Sequence, residues 1–293
     1  MPISRAGLIA RHTLPAALSA LTDAATWLDE HGCQPIIEQR SAEAAGVQRR
    51  WKTARRETLG LGVDVLIAFG GDGTLLDAAS AVAHSSSDVP LLGVNLGHLG
   101  FLTEVGRSEM TGALEALLQG HTRTETRLLL AGRIEHAGAA PTDRLALNDV
   151  VLTRGALSRM MEIDVSIDGQ FVSHVKADGL IVATATGSTA YNLSAGGPIV
   201  HPAVDAFVLT PIAPHTLTNR PIVLPASATV SLRPVVEPSP QDIVITFDGQ
   251  HGVPLGSGES IEVRRAPRVL RLLRTTARTH FEMLREKLKW GYT

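Results

Sequence analysis

The stretch Val63-Asp-Val-Leu-Ile-Ala-Phe-Gly-Gly-Asp-Gly-Thr74, continued by Leu75-Leu-Asp-Ala-Ala-Ser-Ala-Val-Ala83, reads as a buried strand, a glycine-rich turn and a helix. Val65 to Phe69 is apolar without alternation, the pattern of a strand covered on both faces of a parallel sheet. Such sheets take ligands at the carboxyl ends of their strands. Gly70, Gly71 and Gly73 remove three side chains there, so with Thr74 and the helix N-terminus they form a corner whose backbone amides can cradle the phosphates of a donor. Asp72 stands out: a carboxylate among such amides repels phosphate unless a metal intervenes or it takes a proton from a hydroxyl. The alternative is that Asp72 or Thr74 only caps the helix; two further glycines and the apolar strand favour the ligand corner. There is no Gly-Lys pair for a P-loop, and Leu76 stands where the dinucleotide fingerprint needs its third glycine.

Working outward, residues 7–10 form a short apolar strand, and Leu14, Leu18, Leu21, Ala25 and Leu28 recur at helical spacing. Residues 33–37 give a second strand, 41–61 a polar crossover, and 89–95 a further strand running into the glycine-spaced loop 96–103. Met110, Ala113, Leu114 and Leu117 mark a closing helix. Strand and helix alternate, which predicts a doubly wound α/β domain over residues 1–127. From residue 128 the grammar changes to short strands: 128–136, 145–153, 162–168, 179–184, 229–236 and 243–247. Residues 162–168 alternate strictly, and Asp168-Gly169 predicts a hairpin turn. A β-rich, sandwich-like domain over 128–278 follows. Phe281, Leu284 and Leu288 return to helical spacing, so a C-terminal helix, 279–293, is expected to dock on the first domain.

At 293 residues, two such domains can each bury a core. A net charge of -2 and 4% aromatic residues argue against a nucleic-acid binder. Cys33 is the only cysteine, so a reducing compartment, the cytoplasm, is the expected home. No membrane-spanning run or signal peptide is evident. Eleven histidines show no metal-ligand spacing.

Two constellations in the β-rich half are unlike sheet filler. Asn148-Asp149 interrupts the apolar strand 145–153, and its polar groups must be bonded by a ligand or sit at a bulge or edge. The run Asp178-Gly-Leu-Ile-Val-Ala-Thr-Ala-Thr-Gly-Ser-Thr-Ala-Tyr-Asn-Leu-Ser194 is a strand ending in hydroxyls and glycines before a short helix, suited to phosphate or sugar.

Gly70-Gly-Asp-Gly-Thr74, Asn148-Asp149, Asp178-Gly, Thr186-Gly-Ser-Thr-Ala-Tyr191, Asn219-Arg-Pro221 and Asp248-Gly-Gln250 together resemble the NAD kinase family over nearly the whole chain. The first motif is shared with diacylglycerol and sphingosine kinases; the Thr-Gly-Ser-Thr-Ala-Tyr motif separates this family from them. The resemblance implies an enzyme that transfers the γ-phosphoryl group of ATP, accompanied by Mg²⁺, to the adenosine-ribose 2′-hydroxyl of NAD. It implies that Asp72 is the base with Gly73 beside it, and that Asn148 and Asp149 grip a ribose. Asp149 departs from the family's usual glutamate. Arg159, Lys176 and Asp178 fall on polar contacts to the dinucleotide. Thr189, Ala190, Tyr191, Asn192, Leu193 and Ser194 match the NAD-binding loop, and Phe101 and Gln250 further contacts. A homo-oligomer, dimer or tetramer, is expected from the resemblance and from the many short strands whose edges need cover.

Overall fold

The structure is a computed structural model and describes residues 3–85, 87–97, 99–155, 161–216, 218–235, 243–256 and 258–291. The chain divides into two compact units, Met1–Thr126 with Leu270–Thr293, and Arg127–Val269. In chain order the first unit contains β1 (Arg5–Ala10), α1 (Pro15–Glu30), β2 (Gln34–Glu38), α2 (Gln39–Ala45), β3 (Lys52–Ala54), α3 (Arg56–Leu59), β4 (Val65–Gly70), α4 (Asp72–His84), β5 (Leu91–Asn95), β6 (Val105–Gly106) and α5 (Met110–Leu118). There follow β7 (Arg123–Glu135), β8 (Thr142–Ala146), β9 (Asp149–Arg154), β10 (Met161–Ile167), β11 (Gln170–Ala177), β12 (Gly179–Thr184), α6 (Tyr191–Ser194), β13 (Ala206–Ile212), β14 (Ile222–Pro225), β15 (Val230–Pro234), β16 (Ile243–Phe247), β17 (Gln250–Pro254), β18 (Ser260–Arg274) and α7 (His280–Leu288).

In the first unit β3, β2, β1, β4 and β5 are paired in parallel, and the end of β18 joins beside β5 through Leu272 opposite Leu91. Every residue of β4 is buried. Val65, Ile67 and Phe69 enter one core with Leu21, Ala24 and Leu28 of α1 and Leu114 and Leu117 of α5. The buried residues Leu75, Ala78, Ala79 and Val82 of α4 lie outside that cluster. Helices therefore cover both faces, which is why β4 is apolar throughout rather than alternating. Residues 41–61, read as a polar crossover, hold part of α2, β3 and α3; these elements are short, and their periodicity is correspondingly weak in the sequence.

The second unit has two antiparallel layers. One orders β11, β10, β15 and β18, with β7 pairing β18 and β8; the other orders β14, β13, β12, β9, β16 and β17. Ile163 and Val165 of the first layer and Val150, Leu152 and Val182 of the second share one core, so the layers form a sandwich. Val151, Ile181 and Ala183 point from the opposite face of the second layer into a separate cluster with Ala185, Val200 and Val208. The loop after β12 is thus packed on that face. Asp168 and Gly169 both have positive φ, 51° and 77°, in the turn joining β10 to β11, the conformation that favours Asp-Gly in two-residue hairpins.

The structure corrects the expected strand 145–153. It is two strands, β8 and β9, in different layers, separated by a bend at Leu147 and Asn148. The long β18 was not anticipated, because arginines and Pro267 break its apolar run. No helix among the described residues is long and apolar enough to cross a membrane.

Candidate active site

In the first unit the chain leaves β4 at Gly70 and enters α4 with Gly71 at the N-cap, so Asp72 is the first helical residue. Its carboxylate does not cap the helix. Oδ2 accepts from the Phe101 amide at 2.8 Å; Oδ1 accepts from the amides of Leu102 at 3.1 Å and Thr103 at 2.9 Å and from the Thr103 hydroxyl at 2.8 Å. The Asn95 amide, at the end of β5, donates to the Thr103 hydroxyl oxygen at 2.8 Å, and Asn95 Oδ1 accepts from the Gly97 amide. Asn95 and Thr103 are buried. The half-buried Asp72 is therefore fixed by the 95–103 loop, three of its four donors falling on one oxygen.

The glycines divide by purpose. A Cβ on Gly70 would fall 2.2 Å from Thr74 Oγ1, so this glycine makes room for the buried Thr74 side chain; at Gly71 and Gly73 a Cβ would meet nothing within 4 Å. The latter two leave open surface over the amides of the first turn, as a phosphate cradle requires. Gly100 serves the carboxylate: its Cβ would lie 2.0 Å from Asp72 Oδ1.

The second unit has its own polar centre. At the bend between β8 and β9, Asp248 accepts from the amides of Leu147 at 2.9 Å, Asn148 at 2.6 Å and Asp149 at 3.2 Å. Asp248 has φ 54° and Gly249 67°, a tight turn between β16 and β17 that brings the carboxylate back to the bend. With the backbone so occupied, the side chains of Asn148 and Asp149 make no hydrogen bond among the described residues. Asp149 is 4% exposed. Burial, and then the charge of Asp248, push its carboxyl up to about 7. Asp248 is also raised by burial, opposed by the three amides. A buried carboxyl without donors is costly in the free protein and is ready to bond a ligand hydroxyl.

The loop after β12 abuts this bend. Thr184 donates its amide to the Asn148 carbonyl and its hydroxyl to the Leu147 carbonyl. A Cβ on Gly187 would fall 2.0 Å from the Asn148 carbonyl oxygen, so only glycine permits the approach. Thr189 and Ala190 are half-buried, Leu193 likewise, and Tyr191 and Ser194 are exposed. Asn192 differs: fully buried, its amide donates to the Ser188 and Pro198 carbonyls and its oxygen accepts from the Thr210 hydroxyl. That side chain braces the loop from within.

Lys176 and Asp178 are placed elsewhere. Ala183 of β12 is opposite Asp149, whereas Gly179 is opposite Thr153. Asp178 thus precedes the far end of a strand of six residues, roughly 20 Å from the bend at the usual rise. It bonds Arg154 Nε at 2.9 Å, and Lys176 is ion-paired with Glu162 at 2.7 Å. Half-buried Gln250 opens β17 next to Asp248-Gly249. Arg159 lies outside the described residues. Asn95, Gly100, Thr103 and Asp248 were not singled out individually as site residues; the glycine spacing of 96–103 and the Asp248-Gly249 turn were their signals. Among the described residues no three His, Cys, Asp or Glu side chains gather to hold a metal.

A glycine corner on a parallel sheet carrying a fixed carboxylate, with a hydroxyl-rich loop in an antiparallel sandwich, defines a nucleotide-dependent phosphotransferase. The chain matches the ATP-NAD kinase N-terminal domain over residues 8–122 and the ATP-NAD kinase C-terminal domain over 147–275. It is 43% identical to the NAD kinase of Geotalea daltonii over 279 residues, covering 94% of this chain and 95% of the relative. It is 45% identical to that of Koribacter versatilis over 266 residues, 90% of each. Yeast NADH kinase, crystallised with NADH, superposes with a TM-score of 0.92 at 25% identity, covering all of this chain and 89% of that one. The Archaeoglobus fulgidus NAD kinase in complex with ATP gives 0.74 at 23%, covering 97% and 98%, a likeness of fold. The chain belongs to the ATP-NAD kinase family.

Proposed function

We propose that Asp72 is the general base of an ATP-dependent NAD kinase, taking the proton from the 2′-hydroxyl of the adenosine ribose of NAD. The enzyme phosphorylates NAD to NADP at the expense of ATP. The observation that carries the assignment is the Asp72 carboxylate, anchored through Oδ1 while Oδ2 has a single donor and a lone pair to spare. As the hydroxyl proton passes to Oδ2, the ribose oxygen bonds the γ-phosphorus and the bond to the bridging oxygen of ADP breaks. A positioned base contributes about 10²- to 10⁴-fold, the remainder coming from alignment and charge.

The amides of Gly71, Asp72 and Gly73 receive the donor phosphates, the Thr74 amide being donated to the Gly71 carbonyl. Mg²⁺ bound to ATP supplies neutralisation of phosphate charge; the open surface over Gly71 and Gly73 suits phosphate oxygens better than protein-held metal. Asn148 and Asp149 bond ribose hydroxyls, and residues 189–194 with Phe101 and Gln250 line the dinucleotide, Asn192 through the loop backbone that it braces. Lys176 and Asp178, at the other end of β12, act outside the ribose grip.

The chain works as a homo-oligomer in the cytoplasm. Phe171 and Val172 on the outermost strand β11 are 66% and 42% exposed, and Ile222 and Val223 on the outermost strand β14 are 41% and 53% exposed, edges that self-association would cover. A fully active monomer by light scattering at micromolar concentration would refute this. The activity is tested with purified protein, ATP, Mg²⁺ and NAD, coupled to an NADP-specific dehydrogenase. NADP should form, and NAD lacking the adenosine 2′-hydroxyl should give no phosphorylated product. Phosphorylation of that analogue would place the transfer elsewhere.

A further inference from the structure

The Leu102–Thr103 peptide group is held at both ends. Its N–H donates to Asp72 Oδ1 at 2.9 Å, and its carbonyl accepts from Arg274 Nη1 at 3.1 Å. Arg274 is the last residue of β18 and its side chain is 2% exposed. The same guanidinium pairs with buried Glu104 at 3.3 Å and with Glu125 at 3.0 Å. A cation on a peptide carbonyl polarises the group and strengthens its N–H as a donor, more so where water is excluded. Arg278 holds the neighbouring Glu104 carbonyl at 2.7 Å and is itself tied to Glu109, so two arginines of the C-terminal segment fix the loop that fixes the carboxylate.

We infer that Arg274 is a positioning residue for Asp72, acting through the Leu102–Thr103 peptide to hold Oδ1 and so aim Oδ2. This rests on Asp72 being the base. The chain from Arg274 to Asp72 contains one peptide group and two hydrogen bonds, and it places a buried positive charge behind the carboxylate without bringing it against substrate.

Removing Arg274 alone would strand Glu104 as a buried, unpaired charge, so Glu104→Gln is the reference background. That variant should keep kcat within about twofold. Glu104→Gln/Arg274→Met should lower kcat about tenfold with KM for NAD and ATP changed less than threefold, because the Thr103 N–H that holds Oδ1 becomes a weaker donor and Oδ2 is less well aimed. Glu104→Gln/Arg274→Lys keeps a buried cation and should restore part of kcat; it is also the variant to read if the methionine form does not fold. In an Asp72→Asn background the Arg274 change should add less than a twofold loss, whereas a purely structural role would reduce activity again. A kcat indistinguishable from Glu104→Gln in the folded Arg274 variants, or a full further loss in the Asp72→Asn background, would overturn the inference. An Asp72→Asn enzyme keeping more than a tenth of wild-type kcat would instead overturn the base assignment itself.

Discussion

Asp149→Asn should make the ligand-free protein more stable at pH 8 while impairing its use of NAD. In the folded chain the Asp149 carboxyl is moved from its ordinary 3.8 to about 7 by burial and then by Asp248, so at pH 8 it is ionised in a place that disfavours the charge. At 1.36 kcal/mol for each pH unit, and with allowance for its coupling to Asp248, that is on the order of 2–4 kcal/mol. The sign follows from proton counting. Between about pH 4 and 7 the native state binds a proton that the unfolded chain has released, so stability falls as pH rises through that window and levels off above it. The amide keeps the shape, removes the charge and abolishes this dependence. Urea unfolding without ligand should therefore show a gain for Asp149→Asn at pH 8 that shrinks by about 1–3 kcal/mol at pH 5. A variant less stable than wild type at pH 8, or a gain that does not vary with pH, would refute the reasoning. The carboxyl would then be solvated or satisfied. Coupled assays should show the functional cost as a lower kcat/KM for NAD, the pattern of a site where stability is spent on binding.

Asp72→Asn should cost kcat at least tenfold and also lower the unfolding free energy measured in urea by about 1–3 kcal/mol, since one oxygen that now accepts an amide becomes an NH₂ facing a donor; kcat above a tenth of wild type would leave Asp72 a clamp only. Gly100→Ala should lower kcat about tenfold through displacement of Asp72 Oδ1, 2.0 Å from the new methyl, and steady-state kinetics with unchanged kcat would refute the required approach. Asn148→Ala should weaken kcat/KM for NAD by about 1–3 kcal/mol with KM for ATP changed far less. Because its side chain makes no hydrogen bond among the described residues, stability should shift by less than about 0.5 kcal/mol. Titrating each substrate at saturation of the other decides this, and a loss confined to ATP would move Asn148 to the donor side.

What the sequence by itself determined is local or periodic. The unbroken apolar run at 65–69 specified a strand covered on both faces, the Gly-Gly-Asp-Gly order its turn, and Asp168-Gly169 a hairpin with both φ values positive. Those signals arise within a few residues, where steric and burial rules act directly. The tertiary structure decided which distant groups meet. Whether Asp72 capped its helix or was held by residues 101–103 depended on a contact some thirty positions away, allowed by the missing side chain of Gly100. The apparent strand at 145–153 became a bend because Asp248, a hundred residues on, binds its amides. Asn192, which motif reading assigns to the ligand, is occupied by Thr210 and two carbonyls. β18 and Arg274 stayed hidden since arginines at 264, 265, 268, 271 and 274 break the period-two strand pattern and read as a solvated surface, and only the packed fold buries one of them behind the carboxylate. Residue type limits what a side chain can do; the partners that long-range packing brings within hydrogen-bonding distance determine which of those things it does.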